Sequence, residues 1–430
     1  MGVADKTLGK QLYMAFNSKQ KEKIEMKKKD TSKYFYHHLD RRNFIKVAGS
    51  SAVIAGAPAI LTGLTRAAYG AKPNVVRMLM TAPTMIPGDW SKFEEETGIK
   101  VEFEVMKDDV GLFLNDVLVN DAGDRFDVIS ALAGSEQELI DGEAILPVDT
   151  AQLPNWAGMK DSIKNIPYFI NDLNRPDGSV WGTPLAMNAD SFGYHADILG
   201  EPAPPEEVSW SLVFDDERTM GKSATGTYVY YFSECATYLK GAGLADIKTP
   251  ASMTPKEAEV VADFLIERKK AGQFRSWHTT FDDQVQLIKN NEVLAIRCWE
   301  PAVKEAQKAG MNNFHYATAK EGYMKWMHGC YIPTQAKDRG TMEASYTLMN
   351  WILSGAYAAA ISPLRGYVSG RPDLGAQYAQ QNGLGDDVGV AIAEAEAKIA
   401  HKFSHEDFWF IAVPEYLEDM QGQMDRVLAS

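Results

Sequence analysis

The stretch Val180-Trp181-Gly182-Thr183-Pro184-Leu185-Ala186-Met187-Asn188-Ala189-Asp190-Ser191-Phe192-Gly193-Tyr194-His195 has no helical period. It combines aromatic, small polar and β-branched residues with one proline, and it reads as extended chain. Pro184 fixes its own φ and keeps Thr183 out of the α region, while Gly182 and Gly193 allow another part of the chain to approach closely. An extended segment of this length in mid-chain is a natural connection between two halves of a molecule, and the remaining sequence is organised around it.

Its surroundings are those of a two-lobed globular protein. The 430 residues exceed one average core, and 45% hydrophobic with 24% charged residues is ordinary for a folded chain. Charge is uneven. Residues 1–71 hold 13 Lys and Arg against 5 Asp and Glu, which leaves 31 and 53 for residues 72–430, a net of −22 there. Such a field repels nucleic acid and anionic membranes and concentrates cationic solutes, so no nucleic-acid partner is expected. Cys235, Cys298 and Cys330 are widely spaced and odd in number; they read as small core residues, with one bridged pair left open in an oxidising compartment.

The basic N-terminal part has its own logic. Arg41-Arg42-Asn43-Phe44-Ile45-Lys46 precedes a weakly apolar run broken by Gly49, Gly56, Pro58 and Gly63, too interrupted for a spanning helix. Paired arginines, the aromatic after them, the basic residue and the small residues near Ala68 to Gly70 resemble a twin-arginine export signal. Residues 1–70 are therefore expected to be leader and signal peptide, with the Tat export machinery as a partner and a periplasmic mature protein.

Downstream, Val75–Met80, a helix to Thr97 starting near Asp89, and Val101–Met106 open a parallel α/β layer. Tyr228–Phe232 reads as a strand, Val293–Cys298 as a buried strand, and Thr341–Leu353 and Asp386–Lys402 as helices. Thr254-Pro255-Lys256-Glu257 is a capping-box start to a helix ending at Gly272. Phe93-Glu94-Glu95-Glu96-Thr97-Gly98-Ile99-Lys100-Val101, Phe126-Asp127-Val128-Ile129, Ser209-Trp210-Ser211 and the run Glu321 to Pro333 together resemble the extracellular solute-binding proteins of the spermidine/putrescine type. The likeness spans nearly all of residues 72–430. It implies an α/β, two-lobed periplasmic-binding-protein fold of type II, with the Val180–His195 run crossing between lobes and a ligand cleft beside it. Further crossings are expected near Trp299 and Cys330. The first lobe then comprises 72–184 plus 299–329, and the second 185–298 plus 330–430.

The sequence shows no catalytic motif: no nucleophile elbow, zinc-protease helix, nucleotide fingerprint or calcium loop. Gly221-Lys222-Ser223 lacks the upstream glycine of a phosphate loop. No enzyme, cofactor or metal is expected. What the resemblance places at the cleft is Trp181, Asp190, Tyr194, Trp299, Glu300, Trp326 and His328. Indole faces and a desolvated carboxylate suit a protonated amine, so a polyamine or similar amine is the favoured solute, with an ABC importer permease as partner and a monomer as the working form. Polyamine binders carry a Trp where Thr81 stands, and carboxylates where Tyr230, Tyr231 and Ser233 stand. A sugar therefore remains open as the solute, ferric iron on the adjacent Tyr230 and Tyr231 is a further alternative, and a periplasmic enzyme on the same fold is the alternative class.

Overall fold

The computed structural model describes residues 74–430, apart from 82, 85–89, 107–108, 165, 167–177 and 406–407. The expected export signal, its expected cleavage site and the expected helix cap at Asp89 lie outside the described residues. Among the described residues no helix is long and apolar enough to cross a membrane.

The main strands are β1 Val75–Met80, β2 Lys100–Val105, β3 Val128–Ser130, β4 Thr183–His195, β5 Ser223–Gly226, β6 Phe274–His278, β7 Ala295–Cys298, β8 Phe314–Tyr316 and β9 Tyr323–Pro333. The helices that matter for the site are α1 Glu136–Asp141, α2 Val229–Gly241, α3 Pro255–Ala271, α4 Glu300–Lys308, α5 Met342–Ile352, α6 Asp386–Phe403 and α7 Leu417–Ala429. The strand order is β2-β1-β3-β9-β4-β7-β5-β6. At one end β1 pairs with β2 and β3 in parallel; at the other β5 pairs with β6 and β7 in parallel. Two lobes, each centred on a parallel sheet, are thus joined by the antiparallel pair β4 and β9. Parallel strands need covering on both faces, and the helices supply it.

β4 is the stretch from which the sequence reading began. Its Thr183–Asp190 part pairs with β9, and Ser191–Tyr194 pairs with β7, so one strand serves both lobes. Every residue from Thr183 to Tyr194 is buried. The two glycines are needed for close approach: a Cβ at Gly182 would collide with the Tyr331 ring, and one at Gly193 with Phe314.

One expectation is corrected. Tyr228–Phe232 is not a strand; the strand is β5, and α2 begins at Val229. All of Val229–Leu239 is buried, so aromatic residues with high strand propensity pack as a helix because the core surrounds them. After Trp299, Pro301 lies in the first turn of α4, and β8 pairs with His195, Tyr194 and Gly193. After Gly329, Cys330 pairs with Ser130 and Tyr331 with Ile129, and α5 donates from Ser345 to the Asp127 carbonyl. α7 accepts at its Val427 and Leu428 carbonyls from Lys269 of α3.

Local signals fared better. α3 carries the capping box at Thr254 and Glu257 and ends at Gly272 in the left-handed region. The three cysteines are buried free thiols.

Candidate functional site

In open parallel sheets the carboxyl ends of the strands leave a crevice. Here those ends face one another across β4 and β9, and a cavity of about 60 Å³ lies between them. Thr81, Pro83 and Thr84 follow β1; Leu132 and Ala133 follow β3; Tyr228 follows β5; Arg297 and Trp299 end β7. The crossing strands contribute Asp190, Met324, Trp326 and His328, and Tyr367 and Ile411 complete the wall.

The cavity's electrostatics rest on one fully buried ion cluster. Arg297 Nη2 donates to Asp190 Oδ2 at 2.5 Å and to Glu234 Oε1 at 2.7 Å, and Nε donates to Glu234 Oε2 at 2.5 Å. The guanidinium carbon lies 3.7 Å from the centre of the Tyr231 ring. Burial opposes the Arg297 charge, yet Glu234, Tyr231 and Asp190 outweigh it and hold the group well above the usual arginine range. Burial pushes Glu234 up to about 7 against the pull of that same arginine. Nη1 of Arg297 is buried and has no hydrogen-bond partner among the described residues. A buried donor left in that state costs roughly 1–3 kcal/mol.

Above the cluster the walls are aromatic. Trp326 Nε1 donates to Asp190 Oδ1 at 2.6 Å, and its ring meets His328 and Tyr367 edge-on, each with centroids 4.9 Å apart. Burial pushes His328 down to about 4, so the imidazole is neutral at pH 7, with Nδ1 3.4 Å from Thr81 Oγ1. Trp299 is half-buried and stacks near Phe281.

Of the seven residues expected at the cleft, Asp190, Trp299, Trp326 and His328 line the cavity together. The other three are not part of its lining. Trp181 is buried; Tyr194 lies in the core with its hydroxyl donating to the Pro202 carbonyl at 2.5 Å. Glu300 opens α4 and is held by Asn188 Nδ2 at 2.9 Å and by an ion pair to Lys398 of α6, which also donates to the Gly366 carbonyl. It is a structural clamp. Asp127, which follows β1 and β2 in the chain, is likewise buried and paired with Arg339. Tyr230 and Tyr231 diverge along α2: Tyr230 donates to the Ala412 carbonyl, whereas Tyr231 lies against Arg297. No cluster of metal-ligating side chains occurs among the described residues.

Arg297 and Glu234 were missed. The available signal was a lone arginine inside the apolar run Val293–Cys298 and a lone acid inside the apolar and aromatic run Val229–Leu239, since such charges are buried only when paired.

The bacterial extracellular solute-binding protein family matches residues 90–388, and the chain belongs to that family. The putrescine-binding periplasmic protein PotF of Escherichia coli (strain K12) is 23% identical over 73% of this chain and 81% of its own length. SpuD, a putrescine-binding periplasmic protein of Pseudomonas aeruginosa, is 21% identical over 78% and 88%. Among solved structures, the spermidine/putrescine substrate-binding protein PotD of Streptococcus pneumoniae superposes with a TM-score of 0.59 at 13% identity, covering 83% of this chain and 98% of that one. A solute-binding protein of Thermotoga lettingae bound to α-D-tagatose gives 0.58 at 13%, covering 82% and 93%. The protein is thus a periplasmic or extracellular solute-binding component of an ABC importer, a non-catalytic role whose partners are a small molecule and a membrane permease.

Proposed function

We propose that the protein captures a small solute bearing a protonated amine in the cavity lined by Asp190, Trp299 and Trp326 and releases it to the permease. One observation carries this: Asp190, a buried carboxylate, sits within a wall of Trp299, Trp326, Tyr228 and Tyr367. A cation over an indole gains about 0.5–2 kcal/mol, more where water is excluded. The net −22 of residues 72–430 attracts such a solute, and the putrescine named in PotF and SpuD is of the same chemistry. Export through the twin-arginine route, removal of residues 1–70 and action as a monomer complete the reading. A sugar is the second reading, favoured by α-D-tagatose in a relative of the same fold.

In lobe terms, the first lobe comprises about 74–187 plus 329–405 and the second 191–322 plus 408–430, with β4, β9 and the link before α7 as hinge. A thermal-shift screen of amines, amino acids and sugars tests the function: a solute at 100 times its Kd stabilises by about 2.7 kcal/mol. A shift with amine-bearing solutes is expected. Shifts confined to sugars would sink the amine reading, and product formation from any solute would sink the transport reading.

A further inference from the structure

We propose that Arg297 receives a carboxylate of the solute, so that the preferred ligand is a small zwitterion carrying both an amine and a carboxylate rather than a diamine. The inference rests on the amine reading above and extends it to the other end of the molecule. Arg297 is fully buried and lines the cavity at the end of β7. Its Nε and Nη2 are engaged by Glu234 and Asp190, while Nη1 lacks an acceptor among the described residues. An ammonium group has only N–H donors and cannot satisfy another donor, whereas a carboxylate oxygen can accept a charge-assisted hydrogen bond from Nη1.

Asp190 already shares its charge with Arg297 and accepts from Trp326. Glu300, the other acid expected for a diamine, is neutralised by Lys398 and does not line the cavity. Among the described residues that leaves one carboxylate at the cavity, within the aromatic wall, to receive one ammonium. Beside it stands Arg297, bridged to Asp190 and Glu234, whose Nη1 is the donor left over.

The test is titration calorimetry of the purified protein with β-alanine, γ-aminobutyrate, 5-aminovalerate and glycine betaine. Each is compared with its methyl ester, and 1,3-diaminopropane, putrescine and cadaverine serve as the diamines. At least one acid is expected to bind tenfold or more tightly than both its ester and every diamine. Arg297→Lys, which keeps a charge beside Glu234 and Asp190 but has no Nη1, should weaken that acid at least tenfold. The ester comparison uses the unaltered protein, so the outcome does not depend on the variant folding. If the ester binds as well as the acid, or no acid binds, the carboxylate assignment is overturned. A diamine that binds best overturns it while the amine reading stands; binding by sugars alone overturns both.

Discussion

At the scale of single residues, adjacent Trp299 and Glu300 have separate duties. The Trp299 ring faces the cavity, whereas the Glu300 carboxylate turns to Asn188 and Lys398. Trp299→Ala is expected to weaken solute binding roughly 2- to 30-fold, the range of a cation–π contact, with little change in melting temperature. Glu300→Gln should do the reverse. It leaves Lys398 without its counter-ion and lowers stability by about 1–3 kcal/mol, while affinity stays within about twofold. Calorimetric titration and thermal melts of both variants separate the two effects; a large affinity loss in Glu300→Gln would return that residue to the site. Sequence alone showed the indole and the acid side by side, but which of them faces the cavity follows from Pro301 starting a helix there.

At the scale of elements, α1 is tied to β9 by an acid in its own first turn. Glu136 Oε2 accepts from the Gly134 amide at 2.7 Å, and Oε1 accepts from the Tyr331 hydroxyl at 3.1 Å. Burial pushes this carboxyl up to about 8 from an ordinary 4.5. Between those two pH values the unfolded chain has lost a proton that the folded chain keeps. Stability therefore falls as pH rises through that window, the opposite of an exposed ion-paired acid. Each pKa unit corresponds to about 1.4 kcal/mol, so the effect reaches a few kcal/mol at most. Glu136→Gln keeps an acceptor and cannot ionise. Melts at pH 5, 6.5 and 8 should show the native protein losing stability relative to the variant across the series; parallel curves would refute the assignment. The capping box of α3 was legible because its signal lies within four residues. The helical state of α2 was not, since its burial is imposed by elements distant in the chain.

At the scale of the whole molecule, the cavity takes its walls from both lobes, and few segments connect them: β4, β9 and the link leading to α7. Solute that touches both walls favours their approach by its differential contacts in the closed form. Small-angle scattering with and without a binding solute is therefore expected to show a smaller radius of gyration in its presence. An unchanged radius at saturation would argue against hinge closure.

By itself the sequence determined the local pieces: the extended character of Thr183–His195, the close approaches at Gly182 and Gly193, β1, β2, the caps of α3, and through its motifs the family and the two-lobed fold. Each of these depends on residues near one another in the chain, or on a pattern shared by relatives. Only the tertiary structure decided which charges meet. Arg297 is 63 residues from Glu234 and 107 from Asp190, and they come together because β7 lies between β4 and β5. Sheet order is set by nonlocal packing. No periodicity within a segment encodes it, and so the buried Arg297, Asp190 and Glu234 cluster became visible only in three dimensions.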